Sequence, residues 1–93
     1  MKVYIAGKIT GDSEYFAKFG KAQVKLVNQG YIVLNPADLP EGMSAADYMR
    51  ICFAMIDAAD FCVFLSDWEE SRATRIERAY CEYIGKKVVT WND

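Results

Sequence analysis

The stretch KVYIAGKITG, Lys2 to Gly11, decides the architecture of this 93-residue chain. Its opening residues, Lys2 to Ala6, are β-rich and nearly continuous in apolar character until Gly7 stops them, which suits a central strand covered on both faces. The turn that follows, Gly7 to Gly11, leads through Asp12 and Ser13 into a run where Tyr15, Phe16, Phe19, Ala22, Leu26 and Val27 recur at close to helical period. Asp12 or Ser13 is the expected cap of this helix, and Asn28-Gln29-Gly30 its stop.

Working outward, Tyr31 to Leu34 is a second short strand, ended by Asn35-Pro36 and followed by a loop rich in turn formers up to Gly42. Ser44 starts a second helix carrying Ala45, Tyr48, Met49, Cys52, Phe53 and Ile56. Asp60 begins a third strand, Phe61 to Leu65; Ser66 to Glu70 is the loop after it. A last helix runs from about Ser71 to Ile84, stops at Gly85, and gives way to a final strand, Lys87 to Trp91. The order β-α-β-α-β-α-β with right-handed crossovers predicts an α/β, Rossmann-like or flavodoxin-like three-layer sandwich: a four-stranded parallel sheet in the order 2-1-3-4. There are no linkers or repeats, so residues 1–93 form one domain, small enough that a homo-oligomer, a dimer or larger, is expected.

Bulk properties exclude several classes of function. A net charge of −2 gives no basic excess to neutralise a row of phosphates, so duplex nucleic acid is a poor partner. No apolar run approaches the roughly 18 residues that would span a bilayer, and the N-terminus enters a strand directly instead of a signal peptide; no membrane partner and a cytoplasmic location are expected. Cys52, Cys62 and Cys81 are odd in number and lie in apolar segments, which reads as buried reduced thiols and not as a disulfide framework or a zinc site. With no histidine, His-based dyads and most metal sites are excluded, and no cofactor is expected.

In such a sheet ligands bind outside the carboxyl ends of the first and third strands, where the strand order reverses. Three segments meet there: Gly7 to Gly11, Asn35 to Gly42, and Ser66 to Glu77. Gly7, Lys8, Ile9, Thr10 and Gly11 form a turn whose N–H groups can hold an anion, although glycines bracketing such a turn also occur for geometry alone. On the last helix, Ala73, Ile76, Ala79, Tyr80, Tyr83 and Ile84 cover one apolar arc, with Glu77 half-buried at its edge. Partial desolvation there would raise its pKa and sharpen it as base or nucleophile; the plainer reading is a core-flanking carboxylate paired with Arg78 or Lys86. Asp12, Asp67, Glu69 and Glu70 can supply a second carboxylate across the cleft, or Glu69 and Glu70 can simply favour the helix dipole. Trp68 can stack on a planar base or cover the sheet edge.

The opening Met1 to Gly11, Val33-Leu34-Asn35-Pro36, Asp60 before the third strand, and Trp68-Glu69-Glu70-Ser71 with Glu77 and Gly85 downstream together resemble the small DUF4406 proteins. These are similar to nucleoside 2-deoxyribosyltransferases and to nucleoside 5′-monophosphate N-glycosidases, and the resemblance covers essentially the whole chain in order. It implies a nucleoside or nucleotide-like small-molecule partner and a retaining attack on the sugar C1′. Glu77 falls on the nucleophile and Tyr4 on the tyrosine that places it. The Gly7 to Gly11 turn falls on the sugar or phosphate side, with Asn35, Pro36 and Trp68 around the ligand and Ser71 and Arg72 placed to receive a 5′-phosphate. Three positions depart from the pattern: Cys52 stands where the transferases have an Asp that contacts the departing base, Ala73 replaces a Gly, and Lys8 replaces a Pro. No C-terminal extension of the kind that completes a neighbour's pocket in the larger enzymes is expected. Three readings follow: a hydrolase or transferase acting on an N-glycosidic bond, a binding module that sequesters a nucleotide derivative without turnover, and a structural role in which Glu77 is only a flanking charge.

Overall fold

The parallel sheet forms because each strand is short, apolar on both faces and separated from the next by a helix. The computed structural model describes residues 1–92; Asp93, the end of the expected domain, lies outside the described residues. The elements are β1 (Lys2–Ala6), α1 (Tyr15–Asn28), β2 (Ile32–Leu34), a 3-10 turn (Pro36–Asp38), α2 (Ala45–Ala58), β3 (Phe61–Phe64), a 3-10 turn (Trp68–Glu70), α3 (Arg72–Ile84) and β4 (Lys87–Thr90). All strand pairs are parallel and the order is β2-β1-β3-β4, as the alternation predicts. Val3 lies beside Val33 on one side and Phe61 on the other, so β1 is central.

Period-two alternation divides the core into two layers. Val3, Ile5, Phe61 and Val63 face α1 and pack with Phe19, Ala22 and Leu26. Tyr4, Ala6, Cys62 and Phe64 face the other way and meet Cys52 and Ile56 of α2 and Cys81 of α3. With both faces covered, β1 needs apolar side chains at consecutive positions, which is why KVYIA does not alternate.

The helix ends differ from expectation at one place. Ser44 caps α2 by accepting the Asp47 N–H at 3.2 Å, and Ser71 caps α3 by accepting the Thr74 N–H at 3.2 Å. Gly85, at φ 76°, closes α3 in the left-handed region. Neither Asp12 nor Ser13 caps α1: the capping position is Glu14, without a side-chain bond. Asp12 instead accepts the Glu14 N–H at 2.9 Å through Oδ1, while its Oδ2 is taken by Lys18.

The larger correction concerns α3. The arc of Ile76, Ala79, Tyr83 and Ile84 points away from the sheet; Tyr83 is 93% exposed. The buried stripe is Thr74, Glu77 and Cys81, spaced three and four residues apart. Tyr80 lies at its side, stacked on Phe53 of α2 with centroids 4.2 Å apart. Polar partners set this rotation of the helix: Thr74 donates to the Gly7 carbonyl and Glu77 accepts from Tyr4, both across the sheet top.

Candidate active site

A cavity of about 360 Å³ opens at the carboxyl ends of β1 and β3. Its floor is Tyr4, Gly7, Thr74 and Glu77; one wall is Ile9, Thr10 and Tyr15, another is Cys52, Met49 and Tyr48 of α2. The turn from Pro36 to Gly42 and the start of α3, at Ser71 and Ala73, complete it. The position follows from topology, since β1 and β3 send their chains to opposite faces and leave a crevice between them.

Glu77 is the group that makes this cavity chemical. It is 6% exposed, so its carboxylate is much deeper than the half-buried edge expected from its helical position. The Tyr4 hydroxyl donates to its Oε2 at 3.2 Å. Burial pushes its pKa up from 4.5 to about 7, against hydrogen bonds from Tyr4 and Cys52 that pull it down. Near neutrality it therefore exchanges between carboxylate and acid, and the ionised form is poorly solvated and reactive. Burial first, and then the charge of Glu77, drives the Tyr4 phenol well above its ordinary range, so it stays a donor. The Cys52 thiol is pushed up to about 11, chiefly by burial, and is likewise protonated. A carboxylate flanked by two neutral donors can attack an electrophilic carbon or take a proton. The sequence alternative of a surface pair does not occur, because Arg78 lies over the Trp68 ring at 4.5 Å and approaches Glu82 at 3.6 Å.

The glycine turn is fastened to the same frame. The Thr74 hydroxyl donates to the Gly7 carbonyl at 2.8 Å, and the Lys8 N–H donates to Asp67 Oδ1 at 3.2 Å. The Lys18 ammonium gathers the Lys8 carbonyl at 2.9 Å, Asp12 Oδ2 at 2.5 Å and Asp67 Oδ2. Burial opposes its charge, but its bonds to the two carboxylates win, and its pKa is raised. Gly7 packs closely on the third strand's end: a Cβ there would stand 3.0 Å from Leu65 Cδ1 and 3.2 Å from its Cβ, so Leu65 would have to shift to admit it.

Of the residues expected at the site, Tyr4, Gly7, Ile9, Thr10, Pro36, Ser71 and Glu77 line the cavity together. Lys8, Gly11, Asn35, Trp68 and Arg72 do not. Lys8 reaches toward Glu70 at 3.7 Å. Asn35 is buried, accepting the Ala37 N–H at 2.9 Å and donating to Gln23 at 2.8 Å, so it builds the turn. Trp68 stands edge-on to Phe64, with centroids 6.0 Å apart, beneath Arg78, and Arg72 is exposed. The sequence reading passed over Thr74, Tyr15, Tyr48 and Glu41 as site residues. Thr74 stands three positions before Glu77 and so shares its helix face, which was the available signal. Among the described residues no three His, Cys, Asp or Glu side chains converge as metal ligands would. No helix there is long and apolar enough to cross a membrane.

The model of the family described as a domain of unknown function, DUF4406, matches residues 1–90. This chain belongs to DUF4406. No curated protein matches its sequence. Two solved structures share the DUF4406 fold seen here. A 2-deoxyribosyltransferase from the psychrotolerant bacterium Bacillus psychrosaccharolyticus superposes with a TM-score of 0.76 at 20% identity, over 97% of this chain and 71% of that one. A 2-deoxyribosyltransferase from Leishmania mexicana gives 0.77 at 21% identity, over 97% of this chain and 63% of that one. The DUF4406 chain is thus similar in fold to both and spans only part of their length.

Proposed function

We propose that this DUF4406 chain acts on the N-glycosidic bond of a nucleoside or nucleotide, as a hydrolase or a deoxyribosyltransferase, with Glu77 as nucleophile. The observation that carries the reading is the buried Glu77 carboxylate at the cavity floor, hydrogen-bonded by Tyr4. The fold shared with two 2-deoxyribosyltransferases supports the nucleoside class of substrate.

In the proposed reaction the ionised Glu77 attacks the sugar C1′ from the face opposite the base. The bond from C1′ to the base nitrogen breaks, the base leaves with the electron pair, and a glycosyl ester of Glu77 remains. Water then attacks C1′ and frees the sugar, or the nitrogen of a second base attacks and forms a new nucleoside. Tyr4 holds the carboxylate in place through Oε2. By the family resemblance Cys52 takes the place of the acid that contacts the leaving base; with its thiol pushed up to about 11 it is a weak donor, so in this reading the departing base takes its proton from water. The turn at Ile9 and Thr10 and the start of α3 at Ser71 line the same cavity. The whole chain works as one domain in this reading, as a homo-oligomer. It works in the cytoplasm, where three reduced thiols are at home.

The buried, protonated Cys52 favours the second reading, a binding protein that holds a nucleotide derivative and turns nothing over. The two separate in one assay. Wild type, Glu77→Ala and Glu77→Gln are incubated with nucleosides, deoxynucleosides and their 5′-monophosphates, with and without an acceptor base, and free or exchanged base is followed by chromatography. Base released or exchanged by the wild type alone is the expected result. Binding without release by any of the three chains would replace the enzyme with the sequestering module.

A further inference from the structure

Glu41 is a second carboxylate on the cavity wall, and the proposed chemistry leaves it without a task. It lies in the turn before α2, next to Gly42 at φ +92°. Tyr48 of α2 fastens that turn on both sides of Glu41. Its hydroxyl donates to the Pro40 carbonyl at 2.5 Å and accepts the Met43 N–H at 3.3 Å. The carboxylate itself is held by the Tyr15 hydroxyl, which donates to Oε1 at 3.1 Å. Both tyrosines line the cavity.

An exposed glutamate on a turn ordinarily samples many rotamers, and ordering it on binding costs entropy. Here backbone and side chain are already positioned, which is how a recognition group is prepared. No Lys or Arg lines the cavity among the described residues, so the carboxylate faces the ligand space without a cation to satisfy it. Glu77 is on the floor and Glu41 is exposed at the mouth. Both carboxylates line one cavity of about 360 Å³, so a nucleoside with its sugar carbon over Glu77 can bring its base to Glu41.

Building on the glycosyl-transfer reading, we propose that Glu41, clamped by Tyr15 and Tyr48, is a specificity residue that accepts a hydrogen bond from an exocyclic amino group of the base. An ionised carboxylate is acceptor-only. Against an amino group it gains a charge-assisted bond; against an oxo group it sets lone pair against lone pair. A site built around a ligand donor rejects the analogue that lacks it. The site thus selects amino-bearing bases over their oxo counterparts.

The test is calorimetric titration of the full chain with deoxyadenosine against deoxyinosine and deoxycytidine against deoxyuridine. It is done on a Glu77→Gln background, so that nothing is consumed, with and without Glu41→Gln or Glu41→Leu, folding being checked by thermal melts. The parent should prefer the amino member of each pair about tenfold to a hundredfold. Glu41→Gln, whose amide can donate to an oxo group, should bring the members of each pair within roughly threefold, and Glu41→Leu should weaken the amino members selectively. Equal binding in the parent, a preference that survives both substitutions, or no binding of any of the four overturns the proposal. If the preference is present and depends on Glu41 while the wild type releases no base, the glycosyl-transfer reading fails alone and the role of Glu41 stands.

Discussion

Glu77 concentrates in one side chain a conflict between stability and chemistry. Its pKa in the folded chain, about 7, lies above the ordinary 4.5 because burial penalises the charge. Between those values the folded chain keeps a proton that the unfolded chain has released. The contribution of this group to stability is therefore complete below about pH 4.5 and is lost as pH rises through about 7, by about 3 kcal/mol in total. Glu77→Gln, which stays neutral, should gain on the wild type by about 2 kcal/mol between pH 5 and pH 9. Urea unfolding at the two pH values measures it, and parallel curves would mean the carboxylate is better solvated than its burial implies. Activity should run the opposite way. If the carboxylate is the nucleophile, kcat/KM rises with pH to a plateau, with a midpoint near the pKa of about 7. Tyr4→Phe removes a bond that favours the ionised form, so its midpoint should move upward as its rate falls. A flat profile in the wild type would assign the chemistry to another group.

At the scale of elements, the tie from α3 to the end of β1 holds the glycine turn and the carboxylate in one frame. Thr74→Val keeps the shape but leaves the Gly7 carbonyl without its partner at 2.8 Å, and should cost about 1–3 kcal/mol in thermal or urea unfolding. Gly7→Ala should cost a similar amount for a different reason, since its Cβ would press on Leu65. The strands and their ends were readable from residues, because Gly7, Asn35-Pro36 and Ser66 are local stop signals and the apolar runs before them are short. The rotation of α3 was not. A hydrophobic arc is a sum over neighbours in the chain, and it favours Ile76, Tyr83 and Ile84. The partners that turned the helix, Tyr4 and the Gly7 carbonyl, lie 73 and 67 residues away from Glu77 and Thr74. For the same reason Glu41 passed unnoticed in a segment otherwise recognised as facing the cleft: nothing nearby in sequence announces Tyr15, which holds it. Asn35 and Trp68 were legible as belonging to the right loops, but residue type alone does not say whether a side chain faces a cavity or braces the loop beneath it.

For the whole molecule, the outward stripe of α3 is one apolar face that asks for a partner, beside Phe16, Val24 and Val27 on α1. Ile76 and Tyr83, two turns apart on the helix that carries Glu77, are 44% and 93% exposed. A chain of 10.5 kDa gains more from covering such a face than a larger one does. Sedimentation velocity should show a species larger than the monomer that Ile76→Asp with Tyr83→Asp dissociates; a wild-type monomer at high concentration would remove the expectation of an oligomer.

The sheet itself directs any such association. Its outer strands are short: β2 has three residues and β4 has four and opens with Lys87. Neither presents the long, flat row of unpaired amides on which a foreign strand grows. Concentrated solutions of this protein should therefore stay clear on storage, without thioflavin-positive fibrils, and whatever contacts copies make should pass through helix faces that can also come apart.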